Sequence, residues 1–173
     1  SPRDGMLSDG PLQARARLFW TEEHLYVAFE VRDSDVRADF PADAVDPHLW
    51  LSDTVELMVD PDGDNRDYRE IQINPAGQIF DSRFDAYNQP RGGPDGPFGH
   101  ERWQSQLERG VRVDGSVNDP SDGDRGYVVE ARIPWRSLGE APRLGDSWRL
   151  NLYAISGGND AVAWSPIFGL GNF

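Results

Sequence analysis

The chain has 173 residues, 38% of them hydrophobic, which bounds it to one domain with a lean core. Its formal charge of −13, from 30 acidic against 17 basic residues, argues against nucleic-acid and anionic-membrane partners, which bind through basic patches. Cysteine is absent, which excludes disulfides, thiolate zinc sites and a cysteine nucleophile.

Every basic residue is Arg, so no Lys Schiff base is available. No apolar run approaches the roughly 20 residues of a membrane-spanning helix, and no signal-peptide pattern stands at the start. The chain opens on Ser1-Pro2-Arg3 rather than Met and is expected to be processed or excised from something longer. Residues 1–12 read as a tail and 13–173 as the folded domain.

Along the chain, period-2 alternation recurs and helical periodicity does not. Gln13 to Trp20 sets Ala14, Ala16 and Leu18 against Arg15 and Arg17. After the turn Thr21 to His24, a second strand lines up Leu25, Val27, Phe29 and Val31. Asp53 to Val59 is a third, with Thr54, Glu56 and Met58 on one side and Val55, Leu57 and Val59 on the other. The acidic turn Asp60 to Asp67 leads to a fourth, Tyr68 to Asn74, and Pro75-Ala76-Gly77 turns it into a fifth, Gln78 to Arg83. Phe84 to Arg102 reads as a Gly- and Pro-rich loop, long enough to be functional or mobile. Arg109 to Asn118 reads as a hairpin through Asp114-Gly115. Arg125 to Ile133, Ser147 to Ile155 and Ala161 to Ser165 complete the strands. The single helix, a turn or two over Pro134 to Leu138, has Pro at its first position. Short strands separated by turns predict an all-β, two-sheet antiparallel β-sandwich, jelly-roll-like, with one short helix and long loops.

The segment Leu49 to Asp60 is the most informative for function. Trp50 stands at the mouth of a strand that carries Glu56. A ring there can stack on the weakly apolar face of a pyranose, and the carboxylate can accept its hydroxyl protons. The same residues also read as a core Trp beside a solvated Glu.

Several segments, in order, resemble family 9 carbohydrate-binding modules. They are Arg17 to Asp33, Trp50 to Glu56, Gly126 to Trp135 followed by Leu138, Trp148 to Asn151, and Trp164-Ser165-Pro166. The resemblance runs from about Gln13 to the end. It implies a β-sandwich that holds the end of a polysaccharide, or a small sugar, between two aromatic walls, and it implies structural calcium. Trp50 matches the first wall and Glu56 the polar contact after it. Gln72 falls where the family places a basic or amide side chain. Phe173 best matches the second wall, with Trp164 as the fallback. The chain departs from the family in lacking a Trp ahead of the first strand and a strand after Phe173. The resemblance further implies a non-catalytic module of a larger secreted protein, extracellular, periplasmic or on a bacterial cell surface, with other domains such as a glycoside hydrolase in the same polypeptide.

Asp60, Asp62 and Asp64 space carboxylates like the first half of a calcium loop, but Asn65 and Ile71 stand where that loop needs Gly and Glu. The run is either a polar hairpin turn or a calcium site. His24, His48 and His100 lie far apart and read as surface residues. A related sandwich family binds haem through Met; here Met58 reads as core, so no haem is expected. No Gly-x-Ser-x-Gly elbow, phosphate loop or dinucleotide fingerprint is present. The function expected is carbohydrate binding without catalysis. Its alternatives are a haem-binding electron-transfer domain and a ligand-less docking domain.

Overall fold

A computed structural model describes residues 10–157 and 160–167. Its strands are β1 (Gln13–Trp20), β2 (His24–Arg32), β3 (Thr54–Asp60), β4 (Arg66–Ile73), β5 (Ile79–Ala86), β6 (Arg91–Gly93), β7 (Gly96–Phe98), β8 (Glu108–Asp114), β9 (Gly126–Pro134), β10 (Arg149–Ser156) and β11 (Asp160–Ala163). One short helix, α1 (Trp135–Leu138), follows β9. Four strands pair antiparallel in the order β1-β2-β9-β8, and five in the order β11-β10-β3-β4-β5. The two sheets stack as the sandwich that the alternation predicts.

The core lies between the facing sheets. Val27, Phe29, Val129 and Ile133 of one meet Val55, Leu57, Ile71 and Leu152 of the other, all buried. Leu12, just ahead of β1, already belongs to this core. Gly126 permits the start of β9 to approach β2: it has φ +125°, and a Cβ there would lie 1.9 Å from the Val31 carbonyl oxygen.

The outer face of the five-stranded sheet is also covered. Met58, Tyr68, Phe84 and Tyr153 form a second apolar cluster there, against which Phe98 packs. Every residue of β3 is therefore buried, although its sequence alternates like a half-exposed strand. The cover comes from the segment expected to be an irregular loop. Within it, β6 and β7 form a hairpin. Ser82 Oγ donates to the Phe98 carbonyl at 2.7 Å, and the His100 N–H donates to the Arg83 carbonyl at 2.8 Å. Gly99 makes this approach possible, because a Cβ would lie 2.5 Å from Ser82 Oγ.

The hairpin expected at Asp114-Gly115 takes another form. β8 ends at Asp114 and pairs with β9 from Gly126, leaving a loop over 115–125. The buried Asp124 carboxylate holds that loop, accepting from Ser116 N at 2.8 Å and from Val36 N at 2.6 Å. A side chain thus satisfies backbone donors that a tight hairpin would have paired. Pro134 stands one residue outside α1, as its N-cap, rather than within it.

Candidate functional site

Cross-strand register puts one row of side chains on the outer face of the five-stranded sheet. Ala163 lies beside Tyr153, Tyr153 beside Glu56, Glu56 beside Gln72, and Gln72 beside Phe80. The next row includes Asn151, Met58, Glu70 and Ser82. Neighbouring strands are about 4.8 Å apart, so Glu56 and Phe80 are separated by roughly 10 Å.

Trp50 stands at the Phe80 end, in a single 3₁₀ turn over Leu49–Leu51. Leu49 is fully buried and anchors the turn, while the neighbouring Leu51 is exposed. His48 stacks on the indole at a centroid separation of 4.5 Å. Phe80 and Phe98 meet it edge-on at 5.1 and 5.0 Å, and stand perpendicular to His48 as well. One face of the ring is thus covered and its flanks are gripped. Trp50 remains partly exposed. The Trp is neither core nor free, and Glu56, solvated on the alternative reading, is buried.

Glu56 and Gln72 come together as expected, and Glu70 joins them. Gln72 Nε2 donates to Glu56 Oε2 at 2.9 Å and to Glu70 Oε1 at 2.7 Å. Gln72 Oε1 is buried without a partner. Glu56, Glu70 and Gln72 are 7%, 6% and 1% exposed. Burial drives both carboxyls upward. Glu56 is raised well above its ordinary range by desolvation and then by Glu70. Glu70 is raised to about 7, with desolvation first and Glu101 adding to it. Glu101 ties this group back to the aromatic end, lying 3.6 Å from His48 and accepting from Phe98 N at 2.9 Å. The two acids titrate as a pair that holds on to a proton near neutrality.

Sequence reasoning missed Glu70, Tyr153 and His48. Tyr153 borders Glu56, and its hydroxyl is pushed upward by burial and by Glu56, Glu70 and Tyr87 nearby. Tyr87, 46% exposed, follows β5. Glu70 was detectable: it lies two residues before Gln72, on the same face of an alternating strand.

Trp164 is not brought to Trp50. It is 68% exposed beyond β11, four strands from Phe80, where it borders openings lined by Leu12, Ala14, Trp148 and Asn151. Phe173 lies outside the described residues. Asp53, next to the matched segment, is fully buried. It accepts from Arg37 N at 2.7 Å and Gly157 N at 2.8 Å, clamping two loops, and desolvation raises it to about 6.

Asp60, Asp62 and Asp64 each bring a carboxylate oxygen within 4.8 Å of the others. Asp60 is buried and accepts from Gly63 N at 3.0 Å and Asn65 N at 2.9 Å, so it organises the turn. Asp62 and Asp64 are exposed and accept the weaker and shorter turn bonds, at 3.4 and 2.7 Å. His24, His48 and His100 are partly rather than fully exposed. His100 bridges Asp95 at 3.1 Å and Asp85 at 3.0 Å. Met58 is filled around by rings and is fully buried, as its core reading requires.

The profile of the family described as Carbohydrate family 9 binding domain-like matches residues 3–163, and the chain belongs to that family. It is 28% identical over 131 residues to "Exoglucanase XynX" of Acetivibrio thermocellus, covering 76% of this chain and 10% of the relative, so it spans about a tenth of that protein's length. Its fold is similar to that of a Bacteroides uniformis protein, with TM-score 0.68 and 19% identity over 94% of this chain and 73% of the other. It is also similar to a carbohydrate binding module family 9 from Caldicellulosiruptor kristjanssonii in complex with cellotriose (TM-score 0.54, 21% identity, 90% of this chain and 65% of the other). The same organism's family 9 module in complex with glucose matches with TM-score 0.54 and 20% identity over 94% and 69%. Among the described residues, no helix is long and apolar enough to cross a membrane.

Proposed function

We propose that this domain is a non-catalytic carbohydrate-binding module that stacks a sugar, or the end of a polysaccharide chain, on Trp50. Glu56, Gln72 and Glu70 take the hydroxyls. The observation that carries the reading is Trp50 itself: a ring held by His48, Phe80 and Phe98 and still partly exposed, at the end of a row of polar groups. The family supports it, as do relatives whose solved complexes hold glucose and cellotriose. The family resemblance assigns the second wall to Phe173, since Trp164 stands four strands from Phe80. Burying two ring faces at roughly 25 cal/mol per Å², less association costs, predicts micromolar to millimolar affinity.

By the same reading the domain serves a larger secreted or cell-surface bacterial protein, where it brings a catalytic domain to its polysaccharide. Structural calcium fits the Asp60–Asp64 turn, where Asp62 and Asp64 are open to solvent and hard cations take carboxylate oxygens. The test is a glycan array of the calcium-loaded domain read against Trp50→Ala. Binding that disappears in a folded variant supports the module. A silent array from the folded parent domain, or undiminished binding by the variant, refutes it.

A further inference from the structure

His100 has a carboxylate against each of its two ring nitrogens. Nδ1 lies 3.1 Å from an Asp95 oxygen, and Nε2 lies 3.0 Å from both oxygens of Asp85. A carboxylate only accepts hydrogen bonds, and a neutral imidazole has a single N–H to donate. The imidazolium, with two, serves both acids at once. The two contacts also join different parts of the fold. Asp85 belongs to β5, whereas Asp95 lies in the turn between β6 and β7. The His100 backbone is itself bonded to Arg83 of β5, two residues beyond Phe98. Its side chain therefore cross-links the turn of the hairpin to the sheet that the hairpin covers.

Among the described residues, the charged groups that face this ring are the two acids and Arg83, which donates to Asp85 at 3.1 Å and lies 3.6 Å from Asp67 of β4. Arg102 stands 3.5 Å from Asp95. The acids outweigh Arg83. Asp95 first, and then Asp85, hold His100 above its ordinary value of 6.5. The stability this contact gives is complete below 6.5 and is lost as the pH rises through the folded value. Deprotonation turns a ring lone pair toward a carboxylate. The uncharged bonds beside it, Ser82 to the Phe98 carbonyl and the His100 N–H to the Arg83 carbonyl, do not titrate, so the hairpin slackens without leaving the sheet.

We infer that His100 is a positioning residue for Trp50: as an imidazolium it fastens the β6–β7 hairpin to β5, and loss of its proton slackens the hairpin and, through Phe98, the aromatic grip on Trp50. The fastening stands apart from the sugar-binding reading. Its effect on sugar affinity rests on that reading.

The experiment is an NMR titration of the domain between about pH 5 and pH 9, the range that brackets a histidine. The His100 ring, assigned with His100→Gln, should titrate above 6.5. Amide protection over residues 91–98, referred to the intrinsic exchange rate at each pH, should fall with the same midpoint. The Trp50 indole N–H resonance, assigned with Trp50→Phe, should move with it. Asp95→Asn keeps an acceptor for the ring and removes its charge, and Asp95 is not among the groups that shift Glu56 or Glu70. That variant should bring all three midpoints down together, a readout that the acid pair or a merely structural role would leave in place. If it fails to fold, Asp85→Asn makes the same test at the other nitrogen. Cellotriose affinity, measured by calorimetry, should fall about two- to fivefold across the midpoint, the scale of a partly exposed ion pair. A His100 that titrates at or below 6.5, or hairpin protection and a Trp50 resonance that ignore its midpoint, would overturn the inference. No binding by any sugar, with the three midpoints still moving together, would overturn the sugar-binding reading and leave the fastening standing.

Discussion

Glu70→Gln should stabilise the domain at alkaline pH and flatten its pH dependence. In the folded chain desolvation raises Glu70 to about 7, against an ordinary value of 4.5. The folded state therefore binds a proton that the unfolded state has given up between those values. Stability from this group is fully present below about pH 4.5 and is lost as the pH rises through 7. Between pH 5 and pH 8 the loss is about 2–3 kcal/mol. For a domain of this length that is a fall of roughly 5–10 °C in Tm. Asp53, raised to about 6, and the upward-shifted Asp81 and Glu56 push in the same direction, so the parent domain should lose more than Glu70 alone accounts for. Gln at position 70 keeps an oxygen to accept from Gln72 and carries no charge, and it relieves Glu56 as well. The assay is urea denaturation at pH 5 and pH 8 for both proteins. The midpoints should lie closer together in the variant, mainly through a rise at pH 8. A parent domain that is more stable at pH 8 than at pH 5, or a variant with the same pH slope, would refute the reasoning.

Three further perturbations test the frame that holds the site. Leu57→Ala, in the centre of the core, should cost about 2–5 kcal/mol in urea unfolding, with the slope unchanged. Gly126→Ala places a methyl against the Val31 carbonyl at a left-handed φ and should cost more than about 2 kcal/mol, or prevent soluble expression. Asp60→Ala strands the Gly63 and Asn65 N–H groups and should cost about 1–3 kcal/mol. Calorimetry with calcium on the parent and this variant separates a cation site from a turn: heat that the variant loses supports the cation, and no heat in either leaves the turn alone.

Alternation located the strands because each has at least one face against the inter-sheet core, and that face is marked by residues such as Val27, Phe29, Val55 and Leu57. It could not show that the other side of β3 is covered too. Glu56 and Met58 look solvent-facing in sequence, and what buries that side arrives from residues roughly 40 positions later, over a connection rich in Gly and Pro. The Asp114-Gly115 turn misled for a related reason. Local turn chemistry was present, but the buried Asp124 carboxylate captured the backbone donors of a longer loop. Trp50, Glu56 and Gln72 were named together through an ordered set of family segments, and Glu56 and Gln72 are neighbours in the sheet. Glu70 was legible from alternation alone. His48, Phe98 and Tyr153 were not, since each reaches the site through tertiary packing.

The grip on Trp50 has a consequence for kinetics. A side chain already fixed by three neighbouring rings has little rotational freedom left to surrender, so on the proposed reading a sugar would meet a finished platform and need not wait for one to assemble. Capture would then be governed by diffusion and residence time by the contacts made afterwards. Phe98, supplied by a hairpin that lies across the sheet, sets part of that rigidity without needing to touch the ligand. Changes along residues 91–98 could retune how firmly the platform is held while the strands beneath stay as they are.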